Sequence, residues 1–156
     1  MEHSNSTNTK VIFALTLVHF IGDFYYSFVN PLLPVFVDKH SLTLTQVGLI
    51  AAMSRLLAFI VQPWVGYFAD RFQTRFLVLG GPLLAVIFIS LVGIAPNYLI
   101  LLIFVSLGAI GTSMFHPTLA GMVSTYSRKH SGFSMSIFNM GGTFAFAVGP
   151  LFITYL

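Results

Sequence analysis

Asp23 and Arg55 are charged residues set inside long apolar runs. In a low-dielectric medium such residues persist where they pair, face water or carry an ion. Thr16, His19, Asp23, Tyr26, Ser27 and Asn30 recur every three or four residues, so on a helix they fall along one face. Arg55, Gln62 and Gly66 form a second polar face. Ser106, Ser113 and His116 form a third, and Ser136, Asn139 and Thr143 a fourth. The chemistry open to such faces is proton exchange and the binding of polar ligand groups. His116 is either a proton carrier or a neutral imidazole held by a neighbouring carbonyl or by Asn139. Pro117, just after it, removes a backbone donor and is expected to bend its helix.

Covalent catalysis finds little support. No nucleophile, base and orienting group recur at a recognisable spacing, and no phosphate-binding glycine loop or metal-ligand spacing appears. The chain has no cysteine, which excludes a disulfide framework, a thiolate zinc site, an iron–sulfur cluster and a cysteine nucleophile. The expectation is a protein that is not an enzyme and carries no cofactor or metal.

The elements that position these residues follow from composition. Of 156 residues, 56% are hydrophobic and only 7% charged, against roughly 25% charged in soluble domains. So few charges cannot cover a water-exposed globule of this size, which excludes a soluble monomer. The net charge of +3 is not gathered into a stripe that could follow phosphates, so nucleic acid is excluded as a partner. Lipid is the solvent for most of the chain.

Polar breaks leave five apolar stretches, residues 11–37, 46–69, 76–95, 98–123 and 133–156, after a polar tail at residues 1–10. Each meets the roughly 20 residues that a spanning helix needs. A cleaved signal peptide fits the first stretch poorly, because the run is too long, holds Asp23 at its centre and lacks a small-residue cleavage site. Lys10, Arg71, Arg75, Arg128 and Lys129 fall on one side of the membrane and Lys39 on the other. This asymmetry places the N-terminus in the cytoplasm, in a multi-pass protein of the inner (plasma) membrane. Counting 1.5 Å per residue from these nominal ends, Asp23 and Arg55 lie about 18 and 21 Å from the cytoplasmic side, so they are expected to pair. Gln62, His116 and Asn139 lie at about 10 Å and form a second tier.

With these residues in place, the chain resembles the major facilitator superfamily of secondary transporters. The run Gly66-Tyr67-Phe68-Ala69-Asp70-Arg71-Phe72-Gln73-Thr74-Arg75 is similar to the superfamily's loop between its second and third helices. Within the superfamily it most resembles the fosmidomycin-resistance efflux proteins, through Gln62-Pro63-x-Val65-Gly66-Tyr67, Phe115-His116-Pro117, Gly141-Gly142 and Gly149-Pro150-Leu151. Thr118 stands where those relatives commonly carry Glu.

The resemblance implies an all-α membrane protein, with five transmembrane helices of an incomplete six-helix half-bundle. It also implies proton-coupled efflux of a small molecule. His19, Asp23, Asn30, Arg55, Gln62, His116 and Asn139 would line the substrate and proton pathway. Gly66, Asp70, Arg71 and Arg75 would form a conformational-switch loop, and Gly149 and Pro150 a bend in the last helix. Partners would be the substrate, protons, lipid, and either a missing C-terminal half or a second copy. The alternatives are a small non-transporting membrane protein that binds another membrane protein, and an inert truncated product.

Overall fold

In a computed structural model of the chain, residues 7–71, 75–127 and 130–155 are described, with the side chains of Asp70 and Arg75 outside that description. The elements in order are α1 (Thr9–Tyr26), α2 (Val29–His40), α3 (Leu44–Arg71), α4 (Arg75–Leu91), a 3-10 turn (Val92–Ile94), α5 (Tyr98–Ser127) and α6 (Ser131–Thr154). They provide five stretches long and apolar enough to cross a membrane, with α1 and α2 together making the first.

The first crossing is broken where the sequence suggests one helix over residues 11–37. Pro31 has no N–H to offer the Ser27 carbonyl four residues back, so the regular ladder is interrupted there. Ser27 Oγ donates instead to the Phe24 carbonyl at 2.7 Å, and Phe28 N–H reaches the Tyr25 carbonyl at 3.2 Å. Side chains cap other helix ends, and the start of α3 and the end of α5 run past their nominal limits. Thr43 and Gln46 form a reciprocal box at the start of α3, with Thr43 N–H to Gln46 Oε1 at 2.8 Å and Gln46 N–H to Thr43 Oγ1 at 3.3 Å. Asn97 Oδ1 accepts from Ile100 N–H at the start of α5. At the far end of that helix, Thr7 Oγ1 donates to the Ser127 carbonyl at 2.7 Å. The span drawn to residue 123 therefore continues to Ser127.

Helix α5 is the centre of the bundle and packs against α1, α3, α4 and α6, whereas α3 meets the rest mainly through α5. Small residues set the closest crossing. A β-carbon on Gly111 would lie 2.7 Å from the Gly81 carbonyl, and one on Gly81 would lie 2.8 Å from the Gly111 carbonyl, so α4 and α5 touch backbone to backbone. Such contact is what drives helix association in lipid, where apolar burial gains nothing. Two apolar clusters fill the interior, one around Phe36, Ile50, Ile89 and Leu101, the other around Ile12, Leu15, Phe115 and Phe138. The second cluster holds the polar site described next.

Candidate functional site

The first helix delivers two polar groups to the bundle interior. His19 and Asp23 are one turn apart on α1, and both are buried, with Asp23 only 3% exposed. His19 Nε2 stands 3.1 Å from Asp23 Oδ2. From α5, His116 brings its Nε2 to 3.3 Å from Asp23 Oδ1. The second contact is within ion-pair reach but off the alignment of a hydrogen bond, so Oδ1 is a buried oxygen with no donor aimed at it.

Both imidazoles are fixed from behind. His19 Nδ1 lies 3.0 Å from the Phe138 carbonyl on α6, and His116 Nδ1 bonds the Thr112 carbonyl one turn back on α5. A carbonyl only accepts, so each Nδ1 carries the hydrogen. The exchangeable positions are then the two Nε2 atoms and the carboxylate they face. Neutral rings would point lone pairs at carboxylate oxygens; one proton relieves one contact, and two protons relieve both. The cluster therefore runs from a net charge of −1 to +1 without any ring turning over. Its donor set is also one that a divalent metal accepts.

Aromatic rings and one glycine close the site. The His19 ring stacks on Phe138 at a centroid distance of 4.2 Å, and His116 stacks on Phe115 at 4.5 Å. A β-carbon on Gly142 would lie 2.6 Å from His19 Nε2 and 2.7 Å from Asp23 Oδ2, so the α6 backbone seals the cluster directly.

Nominal depths separate Asp23 from His116 and match it with Arg55; the structure arranges them differently. No ion pair joins Asp23 to Arg55, because the carboxylate is taken by the two histidines. Counted from the observed ends, Thr9 and Ser127, Asp23 and His116 are about 21 and 17 Å deep, close enough to meet. Gln62 and Asn139 are exposed and do not hydrogen-bond His116, both of whose nitrogens are engaged elsewhere.

Arg55 and Asn30 instead line a separate cavity of about 320 Å³ between α1, α2, α3, α5 and α6. In the switch-loop run, Arg71 lies over the Tyr67 ring at 4.4 Å. The side chains of Asp70 and Arg75, with all of residues 72–74, fall outside the described residues. A β-carbon on Gly66 would meet nothing within 4 Å, so this glycine makes no close helix contact in this arrangement. Gly149 packs against Ser27 and the Phe24 carbonyl, at the break in the first crossing, and α6 runs on through Pro150 to Thr154.

Sequence reasoning passed over Thr112 and Phe138, which serve through their backbone carbonyls, a role any residue type can fill. The position of Thr112 four residues before His116 was the available clue. Gly142 entered only as part of the Gly141-Gly142 motif, not as the wall of a site.

Five stretches long and apolar enough to cross a membrane, with a polar cluster buried among them, define a multi-pass membrane protein. The family model described as Major Facilitator Superfamily matches residues 15–156, and the chain belongs to that superfamily, whose members are transporters. It is similar to the fosmidomycin resistance protein of Escherichia coli (strain K12), with 28% identity over 93% of this chain and 36% of the relative. It is also similar to the uncharacterized MFS-type transporter YfnC of Bacillus subtilis (strain 168), with 23% identity over 97% of this chain and 37% of the relative. The quinolone resistance protein NorA of Staphylococcus aureus is 26% identical over 90% of this chain and 37% of the relative. The chain thus spans little more than a third of the length of these relatives.

Proposed function

We propose that the chain is the N-terminal portion of a proton-coupled exporter of small molecules, seated in the inner membrane with its N-terminus in the cytoplasm. The observation that carries this reading is the buried His19–Asp23–His116 cluster, which couples α1, α5 and α6 through exchangeable protons. Rocking of one half of a transporter against the other exposes a midplane site alternately to each side. A site held by groups on three helices changes its proton occupancy as those helices shift. The Gly66, Asp70, Arg71 and Arg75 run sets the balance between the two states, and the contact of Gly149 with Ser27 supplies the flexing point between α6 and the broken first crossing.

A second reading is a small membrane protein that binds another membrane protein. It is favoured by the open apolar groove between α1 and α6, lined by Phe13, Leu17, Phe20, Met140 and Phe144.

The test is to express the chain in sensitised cells with and without the remaining helices of a relative as a second polypeptide. The readout is survival in fosmidomycin and in a quinolone. Resistance that needs both polypeptides and is lost with Asp23→Asn supports the exporter. A chain that accumulates as a stable monomer, confers nothing and ignores the added helices supports the binding protein.

A further inference from the structure

The three side chains that meet at Asp23 are arranged for a second chemistry besides proton exchange. His19 Nε2, His116 Nε2 and an Asp23 carboxylate oxygen lie within 4.8 Å of one another, and no fourth His, Asp or Glu joins them among the described residues. His19 and Asp23 stand one turn apart on α1, so one helix face presents a nitrogen and an oxygen together. The third donor comes from α5. Ligand atoms about 2.0–2.1 Å from a four-coordinate ion are about 3.3–3.4 Å from one another. The two contacts to Asp23, at 3.1 and 3.3 Å, already have that spacing. The widest pair in the set has to close by no more than about 1.5 Å.

Two features set this cluster apart from a chance meeting of polar groups. Each imidazole gives its Nδ1 hydrogen to a main-chain carbonyl, His19 to Phe138 and His116 to Thr112. Metal-bound histidines ordinarily have this support, since it fixes the tautomer that presents a bare Nε2 and makes that nitrogen more basic. The second feature is Asp23 Oδ1, a buried oxygen without a hydrogen-bond donor in a residue only 3% exposed, facing the His116 nitrogen. A buried carboxylate oxygen left in this state is costly until a cation meets it. With both rings neutral, nitrogen lone pairs and carboxylate oxygens point at one another. Protons relieve these contacts one at a time, whereas a divalent ion relieves them together.

The donor set also selects the ion. Two imidazoles and one carboxylate suit Zn²⁺ and its first-row neighbours, whereas Mg²⁺ and Ca²⁺ favour shells of oxygen. We infer that His19, Asp23 and His116 form a binding site for a divalent transition-metal ion of the Zn²⁺ class, with water completing its coordination. No ligand spacing marks this set in the sequence, because His116 comes from a distant helix. The site stands on geometry and not on the exporter reading. Where that reading holds, a bound ion ties α1 to α5 and takes the atoms that would exchange protons, so ion and proton exclude each other.

The test is Co²⁺ titration of the full chain, purified with a tag free of histidine and held in nanodiscs of neutral lipid, followed by visible absorption. A single Co²⁺ per chain should give the strong d–d bands of a four-coordinate ion. Zn²⁺ should remove these bands at equal concentration, while Mg²⁺ and Ca²⁺ in about thousandfold excess should not. That result needs no variant to fold. His19→Gln, Asp23→Asn and His116→Gln should each weaken binding by at least the about 10- to 100-fold that loss of a supporting group costs. His40→Gln and His130→Gln should bind as the unaltered chain does. Asp23→Cys should add a thiolate-to-cobalt charge-transfer band, which an Asp23 of merely structural importance would not give. Absence of saturable bands, displacement by Mg²⁺ or Ca²⁺, an affinity untouched by the three ligand substitutions, or bands lost with His40→Gln or His130→Gln would each overturn the inference. Drug resistance in the assay above without Co²⁺ binding removes the metal site alone; Co²⁺ binding without resistance removes the exporter alone.

Discussion

His116 reaches Asp23 from the neighbouring helix at 3.3 Å, yet off the line of a hydrogen bond, while His19 holds the other carboxylate oxygen at 3.1 Å from within the same helix. The two imidazoles are therefore unequal partners. His19 is the more enclosed, with its side chain 6% exposed against 32% for His116. In the proposed exporter, His116 would be the route by which a proton enters or leaves, and His19 the group that keeps Asp23 in place.

Double-mutant cycles should separate real partners from residues that merely share a depth. Asp23→Asn with His19→Gln should show a coupling of about 1 kcal/mol or more in the stability of the detergent-extracted protein, because the two groups touch. Asp23→Asn with Arg55→Gln should add within about 0.5 kcal/mol. Strong coupling in the second cycle would restore an Asp23–Arg55 pair that this arrangement lacks.

Gly142→Ala should disrupt the cluster that it seals. The added methyl has no flexible chain end to displace, since His19 and Asp23 are pinned on both sides, so a loss of about 1–3 kcal/mol is expected. Gly80→Ala, where a β-carbon meets nothing within 4 Å, is the control and should keep the extracted protein's melting temperature. Similar melting of the two variants would show that α6 does not press on the site.

The flexing point can be tested by suppression. Gly149→Ala forces a methyl onto the Ser27 side chain, so it should lower the yield of folded protein on size exclusion. Adding Ser27→Gly removes the hydroxymethyl group that the new methyl meets, and should recover most of that yield. No recovery would place the damage elsewhere on α6.

The cysteine-free chain allows its orientation to be read with single thiols. Ser41→Cys and Pro96→Cys, at exposed positions, should react with an impermeant maleimide on intact cells, and His130→Cys only after the cells are opened. Labelling of His130→Cys from outside would invert the topology.

Much of this architecture was legible before the structure, and the misses have physical causes. Charge scarcity and the spacing of polar breaks gave five crossings, because lipid penalises every unpaired polar group in the same direction. Asp23, His19 and His116 stood out for the same reason. Their meeting did not, since depth was counted from the last apolar residue, while capping carries α5 on to Ser127 and α1 begins at Thr9. A few residues of error at each end amount to about 6 Å, enough to pair Asp23 with the wrong partner. The break after Tyr26 was written in Pro31 and in the Ser27 hydroxyl, but a hydrophobic run does not register a missing N–H. Packing hid the role of Gly142, because a glycine's neighbours across a helix interface leave no mark on local sequence.

His19 is rooted in α1 but tethered through Nδ1 to a carbonyl of α6, while His116 is both rooted and tethered within α5. Any sliding of α6 along α1 drags the first ring and leaves the second still. In the proposed exporter the cluster would thus serve as a gauge of helix displacement: a shift of about an ångström at Phe138 would change the angle at which His19 meets Asp23, and with it how tightly a proton is held, before any large domain motion has begun.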